Sequence, residues 1–384
     1  MSLLVHSVRL VDDERVADDA WVRFAGDRVA ETGTGDGWRD LATPSDEVLD
    51  AEEAAGAGAV LTPGFIDIHG HGGAGFSYDD GHDAIRAARA LHRAHGTTRA
   101  VISLVTAPLE AMERRAAMVA DLTGTDAGIL GSHLEGPFLD PARKGAHDET
   151  LLRAPLAEAV ERLLAAGRGT VRQVTLAPEL AGGVAAIRIV VASGAAAAVG
   201  HTSADAETCA TAFDAGATIL THAFNAMPGL HHRAPGPVGA AIADPRVTLE
   251  VIADGAHVHP DVIRIVFAAA PGRVALVTDA MAAAGAGDGH YELGGLGVDV
   301  VDGVARLTDG AAIAGSTLTQ DAALRLSVAC GVALPAAVHA LTTAPARAVG
   351  RGADLGRLAA GFLADAVLLD AGLHVHRVWT GGRE

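Results

Sequence analysis

Eight apolar runs, each ending on or beside a polar residue and alternating with stretches long enough for a helix, decide most of what this chain can fold into. One run ends at His69 through Phe65-Ile66-Asp67-Ile68; the others are Thr98 to Val105, Ile129 to Glu135, Val171 to Ala177, Ala196 to His201, Thr218 to His222, Thr248 to Ala253 and Val274 to Asp279. Continuous rather than alternating apolar character is the mark of strands buried on both faces, as in parallel sheets. Between them, Asp83 to His95, Leu109 to Asp121, Pro155 to Ala166 and Asp261 to Ala270 carry apolar residues at helical spacing. Eight such βα units imply a (β/α)8 TIM barrel, whose functional residues gather at the C-terminal ends of the strands.

The flanks read differently. Leu3 to Leu10, Ala20 to Phe24 and Arg28 to Thr32 alternate apolar and polar residues between Asp and Gly, as short antiparallel strands do. A Gly/Ala-rich joint, Ala54 to Ala59, separates them from the first barrel run. Near the other end, Ala364 to Leu369 and Val375 to Thr380 are strand-like again and are expected to return to the N-terminal sheet. Residues 1–58 with 350–384 are thus expected to form a small β-sandwich, and 59–349 the barrel. Gly285 to Gly310 is a Gly-rich excursion with hairpin alternation over Gly297 to Leu307, read as a ribbon inserted beside the site. Helices over Thr319 to Cys330 and Pro335 to Val349 would close the barrel.

What the strand ends carry is informative. Glu135 lies in His133-Leu134-Glu135-Gly136-Pro137-Phe138, where Gly-Pro stops the strand. Other runs stop on His69 (with His71 two places on), His201, His222 and Asp279. Imidazole and carboxylate ligands from separate strands suit a divalent transition metal with an open position. Glu135, His201 and His222 make a three-ligand set. His69 and His71 point the same way on a continuing strand and could hold a second metal, with Glu135 bridging. A water on such a metal has its pKa lowered toward about 7, and Asp279 is placed to move its proton. Taken singly, a histidine at a strand end is more often a hydrogen-bonded rim residue than a ligand; five such groups on one rim favour the metal. The remaining histidines of the 18 (His6, His82, His92, His95, His290, His339, His374 and His376 among them) lie in helices, turns or the small sheet and read as surface or packing residues.

Composition narrows the partners. A formal charge of −18 argues against nucleic acid or an anionic membrane surface. No apolar run is long enough to span a bilayer, and Met1 to Val11 lacks the basic start and apolar stretch of a signal peptide, so a cytoplasmic protein is expected. Cys209 and Cys330 read as two reduced packing residues. The single lysine, Lys144, sits in the loop after Glu135, which excludes a carbamylated lysine at a strand end as a metal bridge.

These residues carry a resemblance. Pro63-Gly-Phe-Ile-Asp-Ile-His-Gly-His-Gly-Gly73, His133 to Phe138, Lys144-Gly145-Ala146-His147, Gly200-His201-Thr202, Thr221-His-Ala-Phe-Asn-Ala-Met-Pro-Gly229, Asp254 to Pro260, Val277 to Met281 and Ala314 to Thr319 are similar to the N-acetylglucosamine-6-phosphate deacetylases of the amidohydrolase superfamily, over essentially the whole chain. The resemblance implies hydrolysis of N-acetylglucosamine 6-phosphate to glucosamine 6-phosphate and acetate, with Glu135, His201 and His222 as metal ligands and Asp279 as catalytic acid/base. It implies an acetamide contact from His147, a substrate contact from Ala146, and sugar-phosphate contacts from Asn225, Ala226, His257, Ile313, Ala314 and Gly315. Arg233 resembles a phosphate-binding arginine that in this family enters from a second subunit, making a homodimer; read alone, it is a solvated loop arginine. Some family members lack the His-x-His pair and use one metal, whereas His69 and His71 are kept here. Zinc is the expected metal, with iron, manganese or cobalt as alternatives. The rival readings are deacetylation of the galactosamine epimer, hydrolysis of another N-acyl or cyclic amide, and a catalytically silent scaffold.

Overall fold

The computed structural model describes residues 2–13, 15–44, 46–310 and 312–384. The chain opens with an antiparallel meander, β1 (Ser2–Asp12), β2 (Arg15–Ala25) and β3 (Arg28–Thr34). The register of β1 against β2 slips between Val5 and Val8, where Ser7 has φ +54°. On its other edge, β1 pairs first with β4 (Asp46–Asp50) and then, through Arg9 and Leu10, with β5 (Val60–Pro63). One long bulged strand therefore serves two neighbours in succession.

The barrel follows. Its strands are β6 (Phe65–Asp67) and, after a two-residue pair β7 (Gly72–Gly73) and β8 (Phe76–Ser77), β9 (Thr97–Val105), β10 (Ile129–Glu135), β11 (Val171–Leu176), β12 (Ala196–Val199), β13 (Ile219–Leu220), β14 (Thr248–Ile252) and β15 (Val274–Val277). All eight run parallel, each paired with its neighbours in sequence order around the sheet, and every residue of β9 and β10 is buried. The ladder is open between β15 and β6. That seam is closed by other bonds: Asp279 N–H donates to the His69 carbonyl at 2.8 Å, and the Thr278 hydroxyl donates to Asp67 Oδ2 at 2.5 Å. Burial dominates at Asp67 and raises its carboxyl to about 6, against the lowering effect of those hydrogen bonds. Helices over 82–94, 109–123, 157–166, 183–192, 206–214, 236–243 and 260–269 connect successive strands.

Two expectations are refined. The excursion after Asp279 is a three-stranded ribbon, β16 (Gly289–Leu293), β17 (Leu296–Val301) and β18 (Val304–Leu307), and it packs on Val105, Ala146 and Met281 beside the rim. The helix expected over Pro335 to Val349 is broken at Thr342 into 334–341 and 343–348; Pro345 has no N–H to continue the first helix. Last, β19 (Ala366–Leu369) runs antiparallel to β5 and carries β20 (Val375–Trp379) on its far side, so both ends of the chain share one sheet. Its core, with Leu3, Val22, Phe24, Leu61, Leu368 and Trp379, is separate from the barrel's. Both cysteines are free. Among the described residues, no helix is long and apolar enough to cross a membrane.

Sheet and barrel are tied by a buried ion pair. Arg99 on β9 grips Asp365 with two bonds, Nε to Oδ2 at 2.6 Å and Nη2 to Oδ1 at 2.8 Å, both residues 4% exposed. Removing one partner strands the other charge, which costs about 3–5 kcal/mol. Asp365→Ala is therefore expected to lower the unfolding free energy from urea titration by that amount, and Arg99→Met with Asp365→Leu together by much less; equal losses in the single and double variants would contradict this.

Candidate metal centre and active site

The rim is made by strands that stop abruptly. After Glu135, Gly136 turns with φ +91°, and a Cβ there would sit 2.1 Å from Thr106 Oγ1, so no other residue fits. Before His201, a Cβ on Gly200 would come within 2.6 Å of Thr221 Cβ. His201, His222 and Asp279 themselves have φ +46°, +27° and +48°, a region side-chain-bearing residues seldom enter. Such residues persist only where neighbours over-determine them. Here the Asp140 N–H holds the His201 carbonyl at 2.9 Å, Glu250 Oε2 holds the His222 N–H at 3.2 Å, and Asp279 is held by the His69 carbonyl on one side and the Ser316 N–H on the other.

These turns aim five imidazoles at one carboxylate. Glu135 lies 3.1 Å from His69 Nε2 and from His71 Nε2, 3.3 Å from His201 Nε2 and from His222 Nε2, and 3.5 Å from His147 Nε2. Asp279 Oδ1 stands 3.3 Å from His71 Nε2 and 3.6 Å from His69 Nε2. The opposite ring nitrogens fix the tautomers. His201 Nδ1 bonds to the Arg143 carbonyl at 2.9 Å and His69 Nδ1 to Glu250 at 3.0 Å, so each ring carries its Nδ1 hydrogen outward and Nε2 is the nitrogen it turns to the centre.

The electrostatics follow from burial. Burial alone would raise Glu135, but the charge of His69 and hydrogen bonds from His147, His201 and His222 outweigh it and hold the carboxyl well below its ordinary value. Burial likewise opposes charge on His71, yet Asp279 and Glu135 push it up to about 9. His147, for which burial dominates, falls to about 4. Two buried carboxylates demand positive charge between them.

The donor set fits a divalent cation. His201 Nε2 and His222 Nε2 are 2.9 Å apart, a separation that is repulsive between two lone pairs; nitrogen and oxygen donors at such spacings can share one ion at about 2.1 Å. His71 Nδ1 and His222 Nδ1 are buried without hydrogen-bond partners, which leaves both rings dependent on what Nε2 meets. Within the cluster, Glu135, His147 and His201 form one group able to hold an ion, and His69, His71 and Asp279 another.

A cavity of about 290 Å³ opens over the cluster. His71, Glu135, Ala146, His147, His201, His222, Asn225, Ala226, His257, Asp279, Ile313 and Gly315 line it. His69 lies beneath them, fully buried, and Ala314 is buried between Ile313 and Gly315. Arg233 is exposed and is not among the residues lining this chain's own cavity. His257 is clamped by Asp254: Oδ2 meets its Nδ1 at 2.6 Å while Oδ1 accepts from the Ala256 and His257 backbone at 2.8 Å each. Burial would lower the His257 pKa, but Asp254, with the charge of Asp279, raises it above the ordinary value.

Some contributors lie outside the motifs. Leu293 of the ribbon lines the cavity. Glu250 and Gln173, polar residues inside apolar runs, meet under the rim at 2.7 Å. Their charge and polarity within buried strands were the available signal.

If the cluster holds a cation, stripping it must destabilise the fold. Chelator treatment is expected to lower the thermal midpoint and added Zn2+ to restore it, with the restoration lost in His201→Asn and His222→Asn but retained in Arg233→Ala. A midpoint indifferent to chelator in the unmodified protein would contradict a bound metal.

Comparison with known proteins agrees with this architecture. Residues 60–384 match the amidohydrolase family. The chain is 42% identical over 329 residues to the N-acetylgalactosamine-6-phosphate deacetylase of Escherichia coli O157:H7, covering 84% of this chain and 87% of that one. It is 36% identical over 380 residues to the N-acetylglucosamine-6-phosphate deacetylase of Homo sapiens, covering 95% and 90%. An N-acetyl-D-glucosamine-6-phosphate deacetylase variant from Mycobacterium smegmatis, solved with N-acetyl-D-glucosamine-6-phosphate, superposes with a TM-score of 0.92 at 42% identity, covering 100% of this chain and 98% of that one.

Proposed function

The chain belongs to the amidohydrolase family, and on that premise we propose that it hydrolyses N-acetyl-D-glucosamine 6-phosphate to D-glucosamine 6-phosphate and acetate. The observation that carries this reading is Glu135 encircled by five imidazoles, with Asp279 beside them, at the floor of a cavity. Glu135, His201 and His222 would hold the catalytic cation, and His69 and His71, with Glu135 as bridge, a second; zinc suits this nitrogen-oxygen set. When bound, the cation lowers the pKa of a water and polarises the acyl oxygen.

The rest falls to the side chains. Asp279 is held ionised because His69 and His71 outweigh the burial that would raise it. It takes the proton of the attacking water and returns it to the sugar nitrogen as the amide bond breaks. Thr106 Oγ1 is closer to His147 Nδ1 (2.8 Å) than to the Glu135 carbonyl (3.2 Å). With its hydrogen donated to the Glu135 carbonyl, the Thr106 oxygen holds His147 through Nδ1 and so points Nε2 toward the acyl oxygen that develops charge. Asn225, Ala226, His257 and the 313–315 segment would receive the sugar phosphate. Because the cavity's own lining has no lysine or arginine, Arg233 of a second copy is the guanidinium we assign to the phosphate, in a cytoplasmic homodimer. Residues 1–58 and 350–384 would form the small β domain, and 59–349 the catalytic one.

Acetate release from N-acetylglucosamine 6-phosphate, its galactosamine epimer and unphosphorylated N-acetylglucosamine tests the assignment. The first is expected to be turned over at least about tenfold faster than the others. Identity to the E. coli galactosamine enzyme makes the epimer the second reading, and faster turnover of it would replace the first. Asp279→Asn should lose about 10²–10⁴-fold in kcat while retaining metal; near-normal turnover would remove Asp279 from the mechanism.

The His257 clamp has a pH consequence. A raised pKa keeps its cation, and hence phosphate binding, at pH below that value and loses it as pH rises through it. Asp254→Asn lowers the pKa, so the alkaline rise in KM should begin at lower pH with kcat unchanged. A KM profile identical to that of the unmodified protein would contradict the clamp's role.

A further inference from the structure

Glu250 is the charged residue in the middle of β14, Thr-Leu-Glu-Val-Ile, and it is fully buried. A carboxylate at such a position is costly unless its oxygens are met. They are met from β11 and from the turns that follow β6 and β13: Oε2 lies 3.0 Å from His69 Nδ1 and 3.2 Å from the His222 N–H, and Oε1 is 2.7 Å from Gln173 Nε2. A carboxylate serving only to knit the barrel interior would account for the contacts with Gln173 and the His222 backbone. It would not account for the imidazole. With the His69 Nδ1–H given to Glu250, Nε2 is the nitrogen left to face two carboxylates, Glu135 Oε1 at 3.1 Å and Asp279 Oδ1 at 3.6 Å, where a proton or a metal cation in its place is attracted by both.

We propose that Glu250 is the positioning residue for His69: it fixes the ring in the Nδ1–H tautomer and so makes Nε2 a ligand for a second divalent cation among His69, His71, Glu135 and Asp279, with Gln173 locking the carboxylate. Carboxylates bonded to the far nitrogen of a metal-binding imidazole orient it and raise its basicity. The proposal rests on the metal reading of the cluster and not on the identity of the substrate.

The test titrates metal-free protein with Zn2+ alone against a chelating indicator, counts bound zinc by elemental analysis, and records the thermal midpoint of the metal-free form. Glu250→Gln keeps an oxygen for the Nδ1–H and removes the charge. Its metal-free midpoint is expected to stay close to that of the unmodified protein, with one Zn2+ bound as before and the second bound about 10–100-fold more weakly. In a His69→Ala background the same substitution should have no further effect on zinc affinity. Two unaltered affinities in folded Glu250→Gln, or an undiminished loss in the His69→Ala background, overturns the proposal. Should Glu250→Gln not fold, Gln173→Met, which leaves the carboxylate in place but unlocked, must weaken the second Zn2+ severalfold; an unchanged second affinity there overturns it equally. Unmodified protein that binds no Zn2+ overturns the metal reading itself, whereas normal binding with an indifferent Glu250→Gln overturns only the role of Glu250.

Discussion

A carboxylate withdrawn from water must find positive charge or hydrogen-bond donors, and in this protein five histidines from different parts of the chain are gathered to meet that demand at Glu135. The requirement reaches well beyond the cluster. It fixes where β10, β12, β13 and β15 must stop, because each ligand atom has to arrive at one point from a different direction around the barrel. It also explains the left-handed backbone at His201, His222 and Asp279: extended strands would carry these side chains past the centre. About 1–3 kcal/mol is stored in each such residue, and the hydrogen bonds that hold them are drawn from the next strand or loop, so rim and barrel are strained and stabilised together.

Beneath the rim the barrel is not filled with aliphatic side chains. His133 bridges Ser103 and Thr175, Thr175 reaches Thr221, and Glu250 joins Gln173 to His69. Burial and the neighbouring charge of His69 keep His133 well below its usual pKa, so it serves as a neutral link. A polar layer of this kind is favourable when its members satisfy one another; apart from Gln173 Oε1, buried without a partner, these side chains give the cluster above a hydrogen-bonded floor.

Much of this was legible because parallel strands buried on both faces leave an unmistakable apolar run, and because a polar residue closing each run stands out against it. The rim residues His69, Glu135, His201, His222 and Asp279 were readable for that reason. Other features were not. The run Thr218 to His222 has strand backbone only at Ile219 and Leu220, since the turn at His222 begins inside it. The first ribbon strand, Gly289–Leu293, is flanked by glycines and has too little alternation to announce itself. Glu250 lies 181 positions from His69, and nothing local connects the two. Arg233 stands on an exposed loop outside this chain's cavity, and only the resemblance connects it with the site.

If Glu135 and its histidines form a cation centre and not a proton-held polar core, an ion must lie among their donor atoms. Anomalous diffraction at the zinc edge from crystals grown with Zn2+ tests it most directly. A cation centre requires a peak within about 2.0–2.2 Å of Glu135, His201 and His222 donor atoms. Ordered side chains at Glu135, His201 and His222 with no peak among them would contradict it.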